Sequence, residues 1–331
     1  KLAEQLLPTL LELHQNHHNP VPDSQQKISF GLVRLANIDP LVALTRALIA
    51  VSPPEDYHLH LCCYHSQHPL LIRAGIEQRL DTLLNRQDPN TCFSDPQLKA
   101  TLQNHPEDHH IFIVLATPVA EVGRDHDYDW AVVEPSSMRS IIQLAGRIKR
   151  HRPEYLCPEN NPNIRLLQQP LKALRGKAIA YNRPGFESEH FPLKSHLLDD
   201  ILTTEQLSQI NASHRITERT PLMASENLVD LEHSHLRAKL LGEGNKMKPA
   251  KLWWQMPLHL TAEMQRIQPF RYDPQGRVIF TLEYDPDEEQ TSFVRVEEDG
   301  SHTQANKEFT AIDESQIQFG KKISTWGNFN Y

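Results

Sequence analysis

The stretch Ile111-Phe-Ile-Val-Leu-Ala116, followed directly by Thr117-Pro118, decides the fold class. The run is apolar and rich in β-branched residues, which is typical of a strand buried on both faces of a parallel sheet. It is far shorter than the roughly 20 apolar residues that a membrane span requires. We therefore expect a buried parallel strand here and no span.

Strands and helices are expected to alternate on both sides of this run. The predicted strands cover 28–35, 57–64, 111–116 and 130–134, and the predicted helices cover 1–18, 40–51, 69–84 and 137–150. Alternation at this spacing favours an α/β fold with a doubly wound parallel sheet flanked by helices.

Composition divides the chain into four parts. They are an N-terminal helix and connector (1–26), an α/β domain (27–193), a helical linker (194–250) and a small, mostly β accessory domain (251–331). The last part is rich in Trp, Phe, Tyr and Pro, with short strands expected at 278–284 and 293–296. The chain begins at Lys1 inside an apolar helical pattern, so we expect it to be a piece of a longer protein.

Charge is distributed unevenly along the 331 residues. The net charge is −8, which taken alone disfavours nucleic-acid binding. Residues 139–183, however, contain ten Lys and Arg against only Glu154 and Glu159, a local charge of +8. Such a field suits phosphate binding, although charge alone favours a solvated surface with unusual arginine usage. With no signal peptide or span, the chain is expected to be soluble and cytoplasmic.

Cysteines and histidines do not form an obvious metal motif. The four cysteines lack CxxC spacing, so a zinc or disulfide framework is not expected. Among the 19 histidines, His65 and His68 have helical i,i+3 spacing, but no third ligand is suggested. The prediction is that the chain holds no metal.

Candidate site residues follow the buried strand. In an open α/β sheet, ligands bind at the carboxyl ends of the strands, which places the Thr117 hydroxyl where it can meet a phosphate. Gly123 permits close backbone approach, and Asp125 offers a carboxylate to a ribose hydroxyl.

A second candidate stretch is the predicted helix over 137–150. On a helical wheel, Gln143, Arg147 and Arg150 lie on one face, opposite an apolar face. Arginine suits this position because its planar fork matches phosphate oxygens bidentately. A third stretch, Tyr64–Pro69 followed by Arg73 and Glu77, lies where a strand passes into a helix, a natural position for binding a phosphate backbone.

These stretches resemble the motifs of a known family. Motifs V and VI of superfamily 2 helicases are matched by Thr117, Glu121, Gly123 and Asp125 and by Gln143, Gly146, Arg147 and Arg150. The fuller strings 116–129 and 136–150 resemble the CRISPR-associated helicase–nuclease of type I interference systems, most closely its type I-F form. Residues 31–40, including Asn37, resemble its motif IV, and His65-Ser66 with Arg73 and Glu77 its motif IVa.

The resemblance implies a RecA-like second motor domain, a linker and an accessory domain of an ATP-driven single-stranded-DNA translocase. It implies catalytic roles for Arg147 and Arg150 and nucleotide binding by Gln143, Gly123, Asp125 and Gly146. It implies DNA binding by Thr117, His65, Ser66, Asn37 and Arg73. ATP and Mg²⁺ are the implied cofactors, with the metal ligands upstream. The implied partners are single-stranded DNA, the RNA-guided surveillance complex, CRISPR adaptation proteins and phage anti-CRISPR inhibitors, and no membrane.

Departures from the family pattern limit what this piece does alone. Leu144 and Lys149 replace an arginine and a glycine found in many motif VI sequences. The chain has no GxxxxGK[ST] loop, no Asp-Glu metal motif and no His-Asp nuclease centre, so we expect it neither to hydrolyse ATP nor to cut DNA alone. Two alternatives remain: the C-terminal half of another superfamily 2 helicase, and a docking module for the surveillance complex.

Overall fold

A computed structural model describes most of the chain. The described residues are 2–88, 90–121, 125–152, 161–217, 219–242, 250, 278–287, 289–305 and 319–326. They form two compact units. The first contains the described residues up to Ala238 and again from Phe319, and the second contains those between 239 and 318.

The first unit is built on a mostly parallel sheet. Its strands are β1 (Asn19–Pro20), β2 (Lys27–Arg34), β3 (Tyr57–Tyr64), β4 (His109–Ala116), β5 (Trp130–Val133), β6 (Ile164–Leu166) and β10 (Ile323–Thr325). The strand order is β10-β3-β4-β2-β5-β6, and only the short β1 pairs antiparallel, with β2. The predicted parallel α/β sheet is thus confirmed.

Strand β4 lies inside the sheet between β2 and β3, and all its residues after His109 are buried. Its alternate side chains enter the two hydrophobic clusters that cover the two faces of the sheet. A strand buried on both faces requires a continuous apolar sequence, which is what residues 111–116 supply.

Helices cover the sheet. They are α1 (Leu2–His17), α2 (Ile38–Ile49), α3 (Leu70–Leu84), α4 (Thr91–Ser94), α5 (Pro96–Asn104), α6 (Met138–Ala145) and α7 (Leu171–Leu174), followed by α8 (Leu198–Ile201), α9 (Thr204–Ser208), α10 (Ser213–Ile216) and α11 (Leu228–Leu241). The last four supply the helices expected in 194–250. Apolar side chains of α8 and α11 share one cluster with Met138 and Ile141 of α6, so this segment up to Ala238 is part of the first unit.

The helix predicted over 137–150 is wrong in its second half, because α6 ends at Ala145. Gly146 caps the helix, and Lys149 adopts a left-handed φ of 53°. The backbone of Tyr128 donates to the Arg147 carbonyl at 2.8 Å and accepts from the Lys149 N–H at 2.8 Å. These bonds replace the i→i−4 bonds that a continuing helix would need.

The predicted accessory domain over 251–331 is wrong at its end. Strand β10 pairs parallel with β3, from Ile323 against Leu59 to Thr325 against Leu61. The indole of Trp326 packs within 5.6 Å of the Phe30 ring and 5.4 Å of the Phe112 ring. Three residues of parallel pairing and a buried indole therefore make this segment part of the first unit. The other predicted boundaries, at 26, 193 and 250, stay predictions.

The second unit contains a small antiparallel sheet. Strands β7 (Ile279–Asp285), β8 (Gln290–Val296) and β9 (His302–Gln304) pair in chain order. They confirm the strands expected at 278–284 and 293–296. Residues 251–277, also assigned to this domain, lie outside the described residues. Among the helices of the described part, none has the length and apolar character needed to cross a membrane.

Gly31→Ala should destabilise the first unit, because a Cβ at this position would fall within the indole ring of the buried Trp130. Overpacking of this kind costs about 1–3 kcal/mol or more, so urea denaturation should show a lower free energy of unfolding. Gly146→Ala is the control, since its new Cβ would stand an ordinary 3.6 Å from its nearest neighbours. Equal stability of the two variants would contradict the packing described for Trp130.

Candidate functional site

Three neighbouring strands end at one level of the sheet. Arg34, the last residue of β2, and Tyr64, the last of β3, both pair with Ala116, the last of β4. Thr117, His65 and the segment 35–37 therefore leave the sheet at the same carboxyl edge. This is the edge at which open α/β sheets bind ligands.

A buried guanidinium holds this edge together. Arg34 is fully buried and donates from Nε to Glu121 at 2.8 Å and from Nη1 to the Glu134 carbonyl at 2.6 Å. Its Nη2 donates to the hydroxyls of Ser136 and Ser140, both at 2.8 Å. The 3₁₀ turn Pro118–Glu121, the end of β5 and the start of α6 are thus tied to one side chain.

Thr117 and His65 lie deep in this edge. Thr117 is only 5% exposed, and its N–H donates to the Tyr64 carbonyl at 3.3 Å. The His65 ring stacks on His68 with centroids 3.9 Å apart. Burial and the neighbouring His68 lower the pKa of His65 to about 4, so this imidazole is neutral near pH 7. It can donate or accept a hydrogen bond but adds no positive charge.

The other residues expected to bind DNA are more accessible. Ser66 is exposed at the same loop, and Arg73 of α3 pairs through Nε with Glu77 at 3.2 Å. Asn37 precedes α2 and donates from its side-chain amide to the Arg183 carbonyl at 3.0 Å.

Arg147 lies between α6 and the 3₁₀ turn, with its guanidinium only partly paired. Its Nη2 donates to the Glu121 carbonyl at 3.2 Å, whereas its Nε is buried without a hydrogen-bond partner. Burial, followed by the nearby Arg150, lowers the pKa of Arg147. The neighbourhood therefore carries an excess of positive charge that an anion would relieve.

Arg150 and Asp125 lie together at the surface. The Arg150 Nε donates to Asp125 at 2.6 Å, and this bond is the main reason that the pKa of Asp125 is lowered. An open pocket of about 560 Å³ borders Asp125, Gly146 and Arg150. Three of the residues expected to touch nucleotide or phosphate thus surround one pocket of a size that suits a small ligand.

Gln143 is exposed on α6. It is the one residue of the expected arginine-and-amide face that lies on a helix, because Arg147 and Arg150 follow the helix end. Gly123 lies outside the described residues, so its expected role in nucleotide binding stays a prediction.

A buried carboxylate that the sequence reasoning missed holds the segment with the two arginines. Asp129 is fully buried, accepts from the Phe30 N–H at 2.8 Å, and meets Arg86 at 2.8 Å, Lys149 at 3.1 Å and Arg152 at 2.6 Å. Burial alone would raise the pKa of Asp129. The three cations outweigh that effect and hold it well below its usual range.

Asp127 belongs to the same buried cluster of charges as Asp129. It is fully buried, accepts from the backbone N–H groups of Arg150 and His151 at 3.1 Å each, and pairs with Arg152. The sequence carried a signal for it. Acids at 125, 127 and 129 alternate in one segment, while the cations at 149 and 152 lie in another without acids. Lys149 and Arg152 are thus used internally, whereas Arg150 borders the pocket and Arg147 lies against the Glu121 carbonyl.

Asp129→Asn should strongly destabilise the chain, because it would leave three cations around a neutral amide in a buried site. Breaking a buried ion pair in this way costs about 3–5 kcal/mol, measured as the free energy of unfolding in urea at pH 7. Asp125→Asn, at the half-exposed surface, is the control and should change stability little.

The loss of unfolding free energy caused by Asp129→Asn should depend on pH, because the pKa of Asp129 is lowered in the folded state. The folded-state pKa of Asp129 lies below the unfolded value of about 3.9. Ionised Asp129 therefore stabilises the folded state above that pH, and this stabilisation is lost as the pH falls towards the folded-state pKa. The gap between Asp129→Asn and the unsubstituted chain should therefore narrow in acid. A gap independent of pH would contradict the assignment of an ionised Asp129.

Comparison with known proteins agrees with the motifs at this edge. Residues 27–153 match the family model described as the CRISPR-associated nuclease/helicase Cas3, C-terminal. The chain is 46% identical over 335 aligned residues, covering all of it, to the CRISPR-associated nuclease/helicase Cas3 of subtype I-F/YPEST from Pseudomonas aeruginosa. It is 44% identical over 305 residues, 90% of its length, to the protein of the same description from Pectobacterium atrosepticum.

The chain spans only 30% and 28% of the lengths of these two relatives. Among solved structures, T. fusca Cas3 with ATP is 15% identical with a TM-score of 0.34, covering 51% of this chain and 16% of that one. A CRISPR-associated protein is 18% identical with a TM-score of 0.35, covering 71% and 23%. By its sequence relatives, the chain is similar to the C-terminal part of the Cas3 CRISPR-associated nuclease/helicases of subtype I-F.

Proposed function

We propose that this chain is the second motor domain and accessory region of an ATP-dependent single-stranded-DNA translocase that carries an upstream nuclease and acts in CRISPR interference. The observation that carries the proposal is the state of Arg147. Its guanidinium is half-buried at the carboxyl edge of the sheet, with one backbone partner and a buried Nε that has none. An unpaired buried donor on a charged group is costly unless a ligand completes it.

The contrast with neighbouring cations supports this reading. Lys149 and Arg152 lie in the same short segment, yet both point inward to Asp129. Arg150 instead borders the open pocket, and Arg147 lies half-buried against the Glu121 carbonyl, so neither is held by that carboxylate. A surface that was basic only for solubility would not need two of its four cations held in a buried carboxylate cluster.

The donor set fits the phosphates of a nucleotide. Arg147 and Arg150 would neutralise phosphate charge, Gly146 leaves room for close approach, and Gln143 can offer its amide from α6. When bound, ATP supplies the free energy of its hydrolysis, with Mg²⁺ and the phosphate loop held by the upstream half. Arginines that act on charge developing at a transferring phosphoryl group contribute to rate more than to binding.

Single-stranded DNA is the proposed polymer substrate. Thr117, His65, Ser66, Asn37 and Arg73 are provided by loops and helix starts at the same carboxyl edge. Except for Arg73 they are neutral hydrogen-bonding groups, and Arg73 is already paired with Glu77. Such a set suits contacts to the sugar–phosphate backbone that position a strand without reading its sequence.

Further partners and limits belong to the same proposal. The RNA-guided surveillance complex would deliver the DNA, and CRISPR adaptation proteins and phage anti-CRISPR inhibitors are further candidate partners. We expect the 331-residue chain alone neither to hydrolyse ATP nor to cut DNA, because the phosphate loop and nuclease centre are expected upstream.

In the full-length protein, Arg147→Ala or Arg150→Ala should lower DNA-stimulated ATP hydrolysis by about 10³–10⁵-fold, the range for arginines that stabilise transition-state charge. Arg46→Ala is the matched control, because Arg46 is exposed on α2 and lies outside the candidate site. Thermal melting of each variant separates loss of turnover from loss of folding. Unchanged ATP turnover in a folded Arg147→Ala, Arg150→Ala double variant would mean that the two arginines only form a basic surface, and it would overturn the proposal.

Thr117→Ala should mainly weaken the coupling of ATP hydrolysis to DNA. One backbone contact among several lowers DNA affinity and its salt dependence modestly, so the DNA concentration for half-maximal stimulation should rise while maximal turnover changes little. Thr117→Ser keeps the hydroxyl and is the control. A loss of turnover at saturating DNA in both variants would point to packing of this buried residue instead.

A further inference from the structure

The opposite edge of the sheet carries a separate cluster of histidines. His58 lies near the start of β3, level with His110 of β4, and His105 and Glu107 belong to the loop that leads into β4. This is the amino edge of the parallel strands, remote from Thr117 at their carboxyl edge. The role proposed above makes no use of this cluster.

A chain of hydrogen bonds assigns the protons at this edge. The Glu107 carbonyl can only accept, so the His110 Nε2 at 2.9 Å carries a proton. The side-chain amide nitrogen of Gln26 also lies 3.1 Å from this Nε2, but two backbone carbonyls, each at 3.1 Å from the amide nitrogen, accept its two hydrogens. The Nδ1 of a neutral His110 is therefore an acceptor, and the His60 Nε2 at 3.0 Å donates to it.

The chain continues to His58 through a serine. With its proton on Nε2, His60 accepts at Nδ1 from the Ser324 hydroxyl at 2.8 Å. The Ser324 oxygen, its one proton used, accepts from the His58 Nε2 at 3.2 Å. A neutral imidazole carries one proton, and this chain of hydrogen bonds places the proton of His58 on its Nε2. The Nδ1 of His58 is left with a bare lone pair.

That lone pair faces a carboxylate. The His58 Nδ1 lies 3.4 Å from the Glu107 Oε2, and both atoms are buried without a hydrogen-bond partner. His58 is 4% exposed, and two acceptors 3.4 Å apart in such a place repel unless a cation lies between them. A ring nitrogen of His105 lies within 4.8 Å of both atoms.

We propose that His58, His105 and Glu107 form a Zn²⁺ site. Two imidazoles and a carboxylate are a ligand set that zinc accepts, and zinc bonds of about 2.0–2.1 Å in a tetrahedron put two ligand atoms about 3.3 Å apart. The observed 3.4 Å matches that separation. Three protein ligands leave a fourth position for water, and His105 borders a cavity of about 560 Å³ from which the ion and water can enter.

The other cluster with metal-ligand chemistry fits an ion less well. Cys63, His65 and His68 also bring three ligand atoms within 4.8 Å of one another. The rings of His65 and His68, however, are nearly parallel at 13°, so their in-plane lone pairs run side by side, whereas the rings of His58 and His105, with centroids 3.8 Å apart, are inclined at 39°. The Nε2 of His68 is also occupied by the Cys63 carbonyl at 3.0 Å.

Zinc at the first cluster would fasten distant parts of the chain. It would link β3 to the loop before β4, and the His58–Ser324 bond would extend the connection to β10, which is 266 residues away in sequence. Because binding occurs to the folded state, free zinc should raise the Tm.

The test is zinc binding by the chelator-treated 331-residue chain, measured by competition with a chromophoric chelator, with Co²⁺ absorption as a second readout. His105→Ala and Glu107→Gln alter residues that are not fully buried, so both variants should fold. Each should weaken binding by at least about 10–100-fold and abolish the zinc-dependent rise in Tm. Cys63→Ser, His68→Ala and the exposed His190→Ala are controls and should bind zinc as the unsubstituted chain does.

Three results would overturn the proposal. Loss of zinc binding in Cys63→Ser or His68→Ala, with His105→Ala unaffected, would move the ion to the other cluster, and a sulfur-to-cobalt charge-transfer band would indicate the same. Equal zinc affinity of all variants would mean that zinc binds non-specifically at the protein surface. Absence of binding by the folded unsubstituted chain would leave a proton on His58 as the balancing cation.

Discussion

The buried ion pair between Arg34 and Glu121 is the constraint on which the carboxyl edge of the sheet depends. The two groups are 2.7 Å apart, and Arg34 has no exposed surface. Isolated charges in such a place are strongly unfavourable, so the guanidinium must have partners on several sides. Those partners come from the turn after β4, the end of β5 and the start of α6, which fixes the segments that carry the candidate site relative to one another.

The need of a buried charge for a partner also divides the four cations that follow α6 into two pairs. Lys149 and Arg152 are drawn inward because Asp127 and Asp129 are buried and need positive charge. Arg147 and Arg150 are left outside this cluster, Arg147 partly desolvated and Arg150 at the pocket and paired with the half-exposed Asp125. The left-handed Lys149 and the backbone bridge to Tyr128 produce this division, since a continuous helix would have turned these side chains through regular 100° steps.

The two edges of the sheet bury polar residues of different kinds. At the carboxyl edge, fixed arginine charges are held near carboxylates and remain positive. At the amino edge, a chain of hydrogen bonds places the protons of buried histidines, so the Nδ1 lone pair of His58 becomes the available chemistry. The first arrangement suits phosphate and the second suits a borderline metal ion, and the parallel strands keep the two regions apart.

The sequence by itself determined strands β2 to β5 and helices α2 and α3, because an apolar run buried on both faces and the amphipathic helices beside it have strong local periodicity. It did not reveal the short helices α4 and α5 that lie between α3 and β4. It also placed Thr117 and His65 directly after strand ends, since those positions follow from local structure alone. Only the tertiary structure decided that α6 stops at Ala145, where Tyr128 competes for the backbone, and that Ile323–Thr325 joins the central sheet, because three residues are too short to carry a pattern. The inward and outward cations and the cluster of His58, His105 and Glu107 were likewise decided by tertiary contacts. Burial and long-range pairing determine whether a charge or a lone pair is satisfied, and neither leaves a local signal in the sequence.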